Sequence, residues 1–321
     1  MGLIKHSIVG ACIAAVFAAP ALAQEEDAGH SNDYRTFTAD GVAYGQIGDS
    51  YTADLVLYLA GNQFMVMEEL IADFQGLNPD IASIYVETIP PGQILTGQIL
   101  KQGQIDGQDT AMNPDVYASV NLGHLKKLAG EGIMADYMIY IHNKLELMVA
   151  EGNPKGITGA ADLARGDLVQ SHPNPLTEGI FKFYGSAMLK QLGLYEQVTG
   201  NAECSECWAI EGKTWFTARH HRETPQRIEE GIADVGIVWT TEVIEAKREG
   251  RAIDGVAIPD ELNQKDAVGY AIGLLKTGRN PYNGSRFLSY LSTDRAQGIY
   301  QSYGFLPASD SDLRLKPLVA Q

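Results

Sequence analysis

Chargeable side chains are concentrated directly ahead of a predicted helix start. Residues 219–223 read Arg-His-His-Arg-Glu, and Thr224 and Pro225 follow as a pair typical of a helix N-cap and first helical position. Imidazole binds an anion when protonated and a metal ion when neutral, and guanidinium binds oxyanions through paired N–H groups. Because the amides of a helix start also favour anions, this stretch is interpreted as half of a ligand site.

The remaining candidates lie where predicted strands pass into helices. In open α/β sheets, ligands bind outside the carboxyl ends of the strands, where helices begin. By this rule the ligand-binding candidates are Asn62, Gln63, Gly92, Gln93, Ser119, Thr177, Glu178, His221 and Trp239. Imidazole and carboxylate together suit a transition metal. The alternative metal site therefore consists of His220, His221, Glu178 and Glu242.

Several of these candidates also have a structural explanation. Asn62 suits the N-cap of the helix that follows it, and Glu242 suits the positive first turn of a later helix. Trp239 is either a core residue or a wall of the ligand pocket. Arg219 and Arg222 either contact an oxyanion or pair with neighbouring carboxylates. The sequence leaves both explanations open.

The elements that position these residues alternate between strand and helix. Apolar runs of strand length are followed by segments whose apolar residues recur on one helical face. The predicted strands are residues 54–59, 81–88, 115–119, 145–149, 168–171, 235–239, 256–258 and 267–275. Short turns rich in glycine, proline and asparagine join them. This order predicts an α/β fold of mainly parallel sheets flanked by helices.

The first 50 residues are expected to stand apart from this fold. Residues 1–23 have the pattern of a cleaved signal peptide, with Lys5, an apolar stretch and a small-residue cleavage site before Gln24. Residues 24–50 are acidic and rich in turn formers, and they are predicted to be a flexible lead-in. The protein is therefore expected to be exported and soluble.

Charge and motifs narrow the function classes. The formal net charge is −16 over 321 residues, which argues against nucleic acid and anionic membranes as partners. The sequence contains no GxGxxG pattern, no Walker loop and no HExxH pattern. We therefore expect no cofactor.

Two cysteines remain after the predicted signal peptide. Cys204 and Cys207 have C-x-x-C spacing in a polar connection, and an even number in an exported chain predicts a local disulfide. A metal shared with His220 or His221 is an alternative, although two cysteines alone do not complete a zinc site. A redox enzyme would use the cysteines with His221, but no nucleophile–base–orienter set is evident, and the protein is predicted not to be an enzyme.

Motifs spread over much of the chain resemble one family. They are DLVLYLAGNQFMVMEELIADF, GQIL followed by PDVYAS, NKLELMVAEGNPKGITGAADL, SHPNPLTEGIFKFY, RIEEGIADVGIVWTTEV and FLSYLSTDRAQGIYQSYGF. Together they resemble the periplasmic solute-binding proteins of ABC importers and, more narrowly, their type II molybdate-binding group. The segment GIADVGIVW and the closing Tyr-Gly-Phe match recurrent features of that group.

The resemblance implies a periplasmic monomer of two lobes. Lobe 1 would comprise residues 50–138 plus 268–321, and lobe 2 residues 139–267, with crossovers near Leu145 and Val268. Closure of the lobes on a ligand would be a hinge motion. The partners would be a small solute, an oxyanion first of all, and the membrane permease of an ABC importer.

At the ligand site this chain departs from the group's usual residues. The group offers small hydroxyl residues and backbone amides to a tetrahedral oxyanion. Aligned to it, Asn62 replaces the first serine, Pro91 or Gly92 the second, Glu178 an alanine, His221 an apolar residue, and Trp239 a tyrosine. These substitutions are compatible with the fold of the group, but they do not identify the ligand. A molybdate-like oxyanion is the leading prediction; a metal-ion carrier using His and Glu, or a periplasmic sensor or accessory protein, is the alternative.

Overall fold

The computed structural model describes residues 33–105, 107–204, 206–218 and 222–319, without the side chains of residues 102 and 105. Its strands, in chain order, are β1 (Tyr34–Thr38), β2 (Gly41–Tyr44), β3 (Leu55–Ala60), β4 (Ser83–Ile89), β5 (Gln104–Ile105), β6 (Gln108–Asp109), β7 (Val116–Ser119), β8 (Asp136–His142), β9 (Leu145–Ala150), β10 (Gln170–His172), β11 (Cys207–Ile210), β12 (Thr214–Phe216), β13 (Val235–Trp239), β14 (Ile253–Ala257), β15 (Gly269–Leu274), β16 (Leu306–Pro307) and β17 (Lys316–Pro317).

Helices connect most of these strands. The α-helices are α1 (Met67–Leu77), α2 (Pro91–Gln93), α3 (Leu122–Gly130), α4 (Ser186–Gln191), α5 (Tyr195–Thr199), α6 (Glu223–Glu229), α7 (Thr240–Arg248), α8 (Pro281–Leu291) and α9 (Asp294–Ser302). Ile94–Gln102 and Ile180–Gly185 are π-helical, and Ile47–Tyr51, Gly61–Val66 and Ala160–Ala164 are 3₁₀ turns. None of these helices has the length and apolar character that a membrane crossing requires.

Two large sheets organise the chain. The first has the strand order β16-β8-β15-β7-β3-β4-β1-β2, with β17 also paired to β8, and the second has the order β11-β12-β10-β13-β9-β14. Each contains a strand that is buried along its whole length, β3 in the first and β13 in the second. A strand without a polar face requires cover on both sides of its sheet. The helices supply that cover, which confirms the predicted two-lobed α/β class.

The sheets are mixed rather than mainly parallel as predicted. Parallel pairing joins β3 to β4 and β7, and β10 to β12 and β13. The strands that carry the chain between sheets pair antiparallel, β9 with β13 and β14, and β15 with β7 and β8.

Both passages between sheets lie near the predicted crossovers. The chain leaves the first sheet after His142 and enters the second at Leu145, then returns between Ala257 and Gly269. β8 belongs to the first sheet over its whole length, and therefore extends beyond the predicted lobe boundary at residue 138. Assignment of the remaining residues to lobes stays a prediction.

The described part of the predicted flexible lead-in is structured. β1 and β2 form a hairpin, and β1 pairs antiparallel with β4 at the side of the first sheet. The side chains of Tyr34 and Phe37 are buried there. Ala39 and Asp40 form the turn, and Gly41, the first residue of β2, has φ +128°. An Asp-Gly turn between strand formers is a hairpin signal, and the acidic composition of the segment obscured it.

Candidate ligand-binding site

A small cavity of about 30 Å³ lies between the two sheets. It has room for a few water-sized groups at most. Its walls come from both sheets and are formed by Ala60, Gly61, Asn62, Pro90, Pro91, Val120, Glu178, Gly179, Ile180, Arg222 and Trp239. A ligand held here would contact residues from both lobes at once.

Five of the lining residues directly precede a helix. Ala60, Pro90, Gly179, Arg222 and Trp239 are the N-cap positions of Gly61–Val66, α2, Ile180–Gly185, α6 and α7. The first three of these segments continue into longer helices. At the first four starts no side chain caps the helix, so its first amides lack that partner. Convergent helix N-termini favour an anion through their N–H groups and their dipoles.

Arg222 brings a positive charge to this cavity. Its guanidinium forms an ion pair with Asp33, donates to the carbonyl oxygen of Thr88 at 3.3 Å and lies 4.7 Å from the ring centre of Phe64. Asp33, Phe64 and Thr88 belong to the first sheet's side of the cavity, whereas Arg222 begins a helix that covers the second sheet. The side chain therefore links the two lobes as well as lining the site.

Close packing of α6 on the second sheet sets the position of Arg222. Gly236 on β13 allows this approach, because a Cβ there would lie 2.3 Å from a methyl group of Thr224 and 2.4 Å from the carbonyl oxygen of Ser171. α6 begins at Glu223, so Arg222 rather than the predicted Thr224 is the N-cap. The sequence prediction of a helix start was right and its cap residue was wrong.

The carboxylate of Glu178 is used within its own loop. One of its oxygens accepts the amide N–H of Asn174 at 2.9 Å and the hydroxyl of Thr217 at 2.7 Å. Glu178 is buried and lines the cavity, but two donors already hold that oxygen. Its residue type therefore fits a role in fixing the loop.

Trp239 forms an aromatic wall of the cavity. Its ring lies 5.7 Å from that of Tyr184 and 6.4 Å from that of Tyr270, between centres, and the side chain is buried. Its amide N–H donates to the carboxylate of Glu242 at 3.0 Å. Glu242 therefore caps the start of α7. This contact gives Glu242 a structural role at a helix start, which the sequence had offered as an alternative to metal binding.

Asn62 connects the cavity to the crossover strands. Its side-chain amide donates to the hydroxyl of Tyr270 at 2.6 Å, so it does not cap a helix as predicted. Asn143, between β8 and β9, donates to the hydroxyl of Thr241 at 3.1 Å and to that of Tyr270 at 3.4 Å. Burial raises the pKa of Tyr270 well above its usual value. This network ties both lobes to the place where the chain passes between them.

A second, wider cavity of about 210 Å³ adjoins the first. Pro91, Val120 and Gly179 line both. The second is also lined by Gly92, Gln93, Thr96, Ser119, Asn121, His124, Leu176, Thr177, Lys182 and Phe183. Four of the predicted ligand-binding residues, Gly92, Gln93, Ser119 and Thr177, therefore lie around this cavity rather than the first.

His124 and Lys182 in this cavity were missed by the sequence analysis. The imidazole Nδ1 of His124 lies 3.0 Å from the hydroxyl of Ser119 and 3.1 Å from that of Tyr117. Burial, reinforced by the charges of Lys182 and Lys127, lowers the pKa of His124 to about 4. Both residues lie within helical segments, and a rule that selects strand-to-helix loops does not include such positions.

Several predicted site residues lie elsewhere. His220 and His221, like Arg219, fall outside the described residues. Gln63 lines neither cavity, because its side-chain oxygen accepts the hydroxyls of Tyr140 at 2.8 Å and Tyr300 at 2.9 Å. Among the residues that the structure describes, no group of three or more His, Cys, Asp or Glu could hold a metal ion. The metal set of His220, His221, Glu178 and Glu242 stays a prediction.

Cys204 and Cys207 are joined by a disulfide bond, with their Cα atoms 6.1 Å apart. Cys207 begins β11, the edge strand of the second sheet, so the polar connection predicted here is partly a strand. The pair lines neither of the two cavities. The position of the disulfide therefore gives no support to a direct contact with the ligand.

Comparison with known proteins agrees with this architecture. YvgL of Bacillus subtilis (strain 168), which carries the name of an ABC transporter substrate-binding lipoprotein, is 24% identical over 60% of this chain and 66% of its own length. The sulfate-binding protein of Synechococcus elongatus is 26% identical over 53% of this chain and 48% of its own. Both matches thus span less than two thirds of the relative.

The structural comparison extends further along the chain. The periplasmic molybdate-binding protein of Azotobacter vinelandii superposes with a TM-score of 0.63 at 17% identity, over 79% of this chain and all of the other. At that identity the likeness concerns the fold. The family of bacterial extracellular solute-binding proteins matches residues 55–306. This chain therefore belongs to the family of bacterial extracellular solute-binding proteins.

Proposed function

We propose that this protein captures a small oxyanion in the periplasm and delivers it to the membrane permease of an ABC importer. The observation that carries the proposal is the convergence of five helix N-termini, four of them without a side-chain cap, and one guanidinium on a cavity of about 30 Å³. Uncapped amides and a positive side chain stabilise a negatively charged ligand, whereas a neutral ligand gains no comparable stabilisation from them. The names of the sulfate- and molybdate-binding relatives agree with this ligand class.

Recognition would use backbone amides more than side chains. Gly61, Asn62 and Ile180 supply amides beside the cavity, and Arg222 supplies the formal charge. Because Asp33 already pairs with Arg222, the ligand would share that guanidinium with a carboxylate. We therefore propose that the helix dipoles contribute a large part of the affinity. Lobe closure around the anion would bury it between both sheets.

The metal-ion alternative is not proposed here. In the structure the carboxylate of Glu178 holds the loop at Asn174, and that of Glu242 holds the start of α7. A metal bound by the same carboxylate oxygens would compete with those amide contacts, and an unpaired buried amide costs about 1–3 kcal/mol.

A thermal-unfolding screen of the protein tests the proposal. Molybdate, tungstate, sulfate and phosphate are compared with glucose and glycerol as solutes without an oxyanion group, and with divalent metals. An oxyanion at 100 times its dissociation constant adds about 2.7 kcal/mol to the free energy of unfolding. We expect at least one oxyanion to raise the melting temperature and neither uncharged control to do so.

Variants at Arg222 connect that result to the cavity. Arg222→Gln is expected to weaken oxyanion binding, Arg222→Lys to weaken it less, and Arg248→Gln, at an exposed arginine, to leave it unchanged. Calorimetry measures the three dissociation constants. Stabilisation by metals alone, or equal binding by all three variants, would contradict an oxyanion site at this cavity.

A further inference from the structure

The two adjoining cavities differ in size and share a wall. The first lies among helix starts and measures about 30 Å³, whereas the second measures about 210 Å³. Pro91, Val120 and Gly179 line both, so the two cavities adjoin along these three residues. An inorganic tetrahedral oxyanion would occupy only the smaller space. The larger space is suited to an organic substituent on that anion.

The second cavity is lined mainly by apolar surface and carries one positive charge. Lys182 is exposed at its rim, with its ammonium 5.9 Å from the ring centre of Phe183, and it makes no ion pair with any residue the structure describes. Four other lysines of the described residues form salt bridges, each with an aspartate, as Lys247 does with Asp254 at 2.7 Å. In a chain of formal net charge −16, a cation that lines a cavity and forms no ion pair within the described residues favours a second negative group on the ligand.

Neutral polar groups complete this lining. The hydroxyl of Thr177 is buried and makes no hydrogen bond within the described residues. With its pKa near 4, the imidazole of His124 is uncharged at neutral pH, and its Nε2 makes no hydrogen bond to the residues described. Groups of this kind can donate to or accept from the hydroxyl or ester oxygens of a small organic acid.

We propose that the ligand is a phosphate monoester of a small organic acid, a proposal that rests on the oxyanion function above. The phosphate occupies the first cavity, among the helix N-termini and beside Arg222. The ester oxygen lies where the two cavities adjoin, beside Pro91, Val120 and Gly179. The organic part lies in the second cavity, with its carboxylate directed toward Lys182 and its oxygens near His124 and Thr177.

Calorimetry with three graded probes tests this assignment. Inorganic phosphate offers the anion alone, glycerol 3-phosphate adds an uncharged organic part, and 3-phosphoglycerate adds a carboxylate as well. We expect affinity to increase in that order. Lys182→Met is expected to weaken 3-phosphoglycerate binding by about fivefold, as for an exposed ion pair, and to leave inorganic phosphate unchanged.

Two further variants make the test specific. Lys190→Met removes a lysine that lies on α4, stacks on Tyr195 and lines neither cavity, and it should bind all three probes as the unmodified protein does. Thr96→Trp fills the second cavity from its exposed side and should abolish the advantage of both esters without weakening inorganic phosphate.

The outcomes separate the two proposals. If inorganic phosphate or another bare oxyanion binds as tightly as both esters, and Lys182→Met and Thr96→Trp change nothing, the ester assignment is overturned and the oxyanion function stands. If neither inorganic oxyanions nor phosphate esters bind, the oxyanion function itself is overturned. Tighter binding of 3-phosphoglycerate that is lost in Lys182→Met and kept in Lys190→Met supports the ester.

Discussion

Replacing Arg222 by alanine should destabilise the ligand-free protein far more than loss of an ordinary surface ion pair. Its partner Asp33 is completely buried, and the second carboxylate oxygen of Asp33 makes no hydrogen bond within the described residues. The side chain of Arg222 is itself only 15% exposed. Removing one partner of a buried pair leaves an uncompensated charge, at a cost of about 3–5 kcal/mol.

Local opening sets an upper limit to that cost. Asp33 precedes β1, and its carbonyl oxygen accepts the amide N–H of Thr88 at 2.8 Å. If the start of β1 separates from β4, Asp33 reaches water and the penalty ends there. We therefore expect a loss near the lower figure, about 3 kcal/mol. Hydrogen exchange at the Thr88 amide would report such opening directly.

Equilibrium unfolding in urea, followed by two independent probes, measures the loss. Lys247→Ala is the matched control, because Lys247 pairs with Asp254 at 2.7 Å while their side chains are 51% and 34% exposed. It should cost less than about 1 kcal/mol. The double variant Arg222→Ala/Asp33→Asn should recover much of the loss by removing the buried charge. An Arg222→Ala loss no larger than that of Lys247→Ala would refute the reasoning.

Three further predictions concern stability. Burial lowers the pKa of His172 to about 3, and its Nδ1 accepts the amide N–H of Ile237 at 3.3 Å, so the fold requires neutral imidazole. The unfolded chain binds that proton from about pH 6.5 downward, and the free energy of unfolding should fall by up to about 1.4 kcal/mol per pH unit below it. His172→Gln should remove that share of the slope in urea titrations at several pH values. Glu178→Ala should cost about 2 kcal/mol in the same assay, because a buried amide and a hydroxyl lose their acceptor, whereas Glu178→Gln should cost less. Reduction of the bond between Cys204 and Cys207 should cost no more than about 2 kcal/mol, because the closed loop is short, and calorimetry should show unchanged ligand affinity.

The fold class followed from local patterns in the sequence. Apolar runs such as residues 54–59 and 235–239 predict strands covered on both faces, and the strands found there, β3 and β13, are buried along their whole length. The hairpin of β1 and β2 did not follow, because its acidic composition outweighed the Asp40-Gly41 turn signal. Its strand character depends on the open side of β4, a tertiary feature that composition does not contain.

The sequence predicted those parts of the site that depend on the position of backbone loops. It did not predict those that depend on side-chain pairs between residues far apart in the chain. The rule for strand-to-helix loops selected Asn62, Glu178 and Trp239, which line the first cavity. It gave no indication that Arg222 pairs with Asp33, 189 residues earlier in the chain. It also selected Gln63, whose side chain faces two buried tyrosine hydroxyls. A loop position fixes where the backbone lies, whereas packing decides which way each side chain points.

The distribution of tryptophan gives the protein an optical reporter of its own. Trp208 and Trp215 face each other on β11 and β12, with ring centres 3.9 Å apart, at the edge of the second sheet. Trp239 lies three strands in from that edge and lines the small cavity. Under the proposed function, a bound anion would change the surroundings of Trp239 alone of these three, because Trp208 and Trp215 line neither cavity. We therefore expect the emission of Trp239 to follow site occupancy and the stacked pair at the edge to provide an internal reference for the same sample.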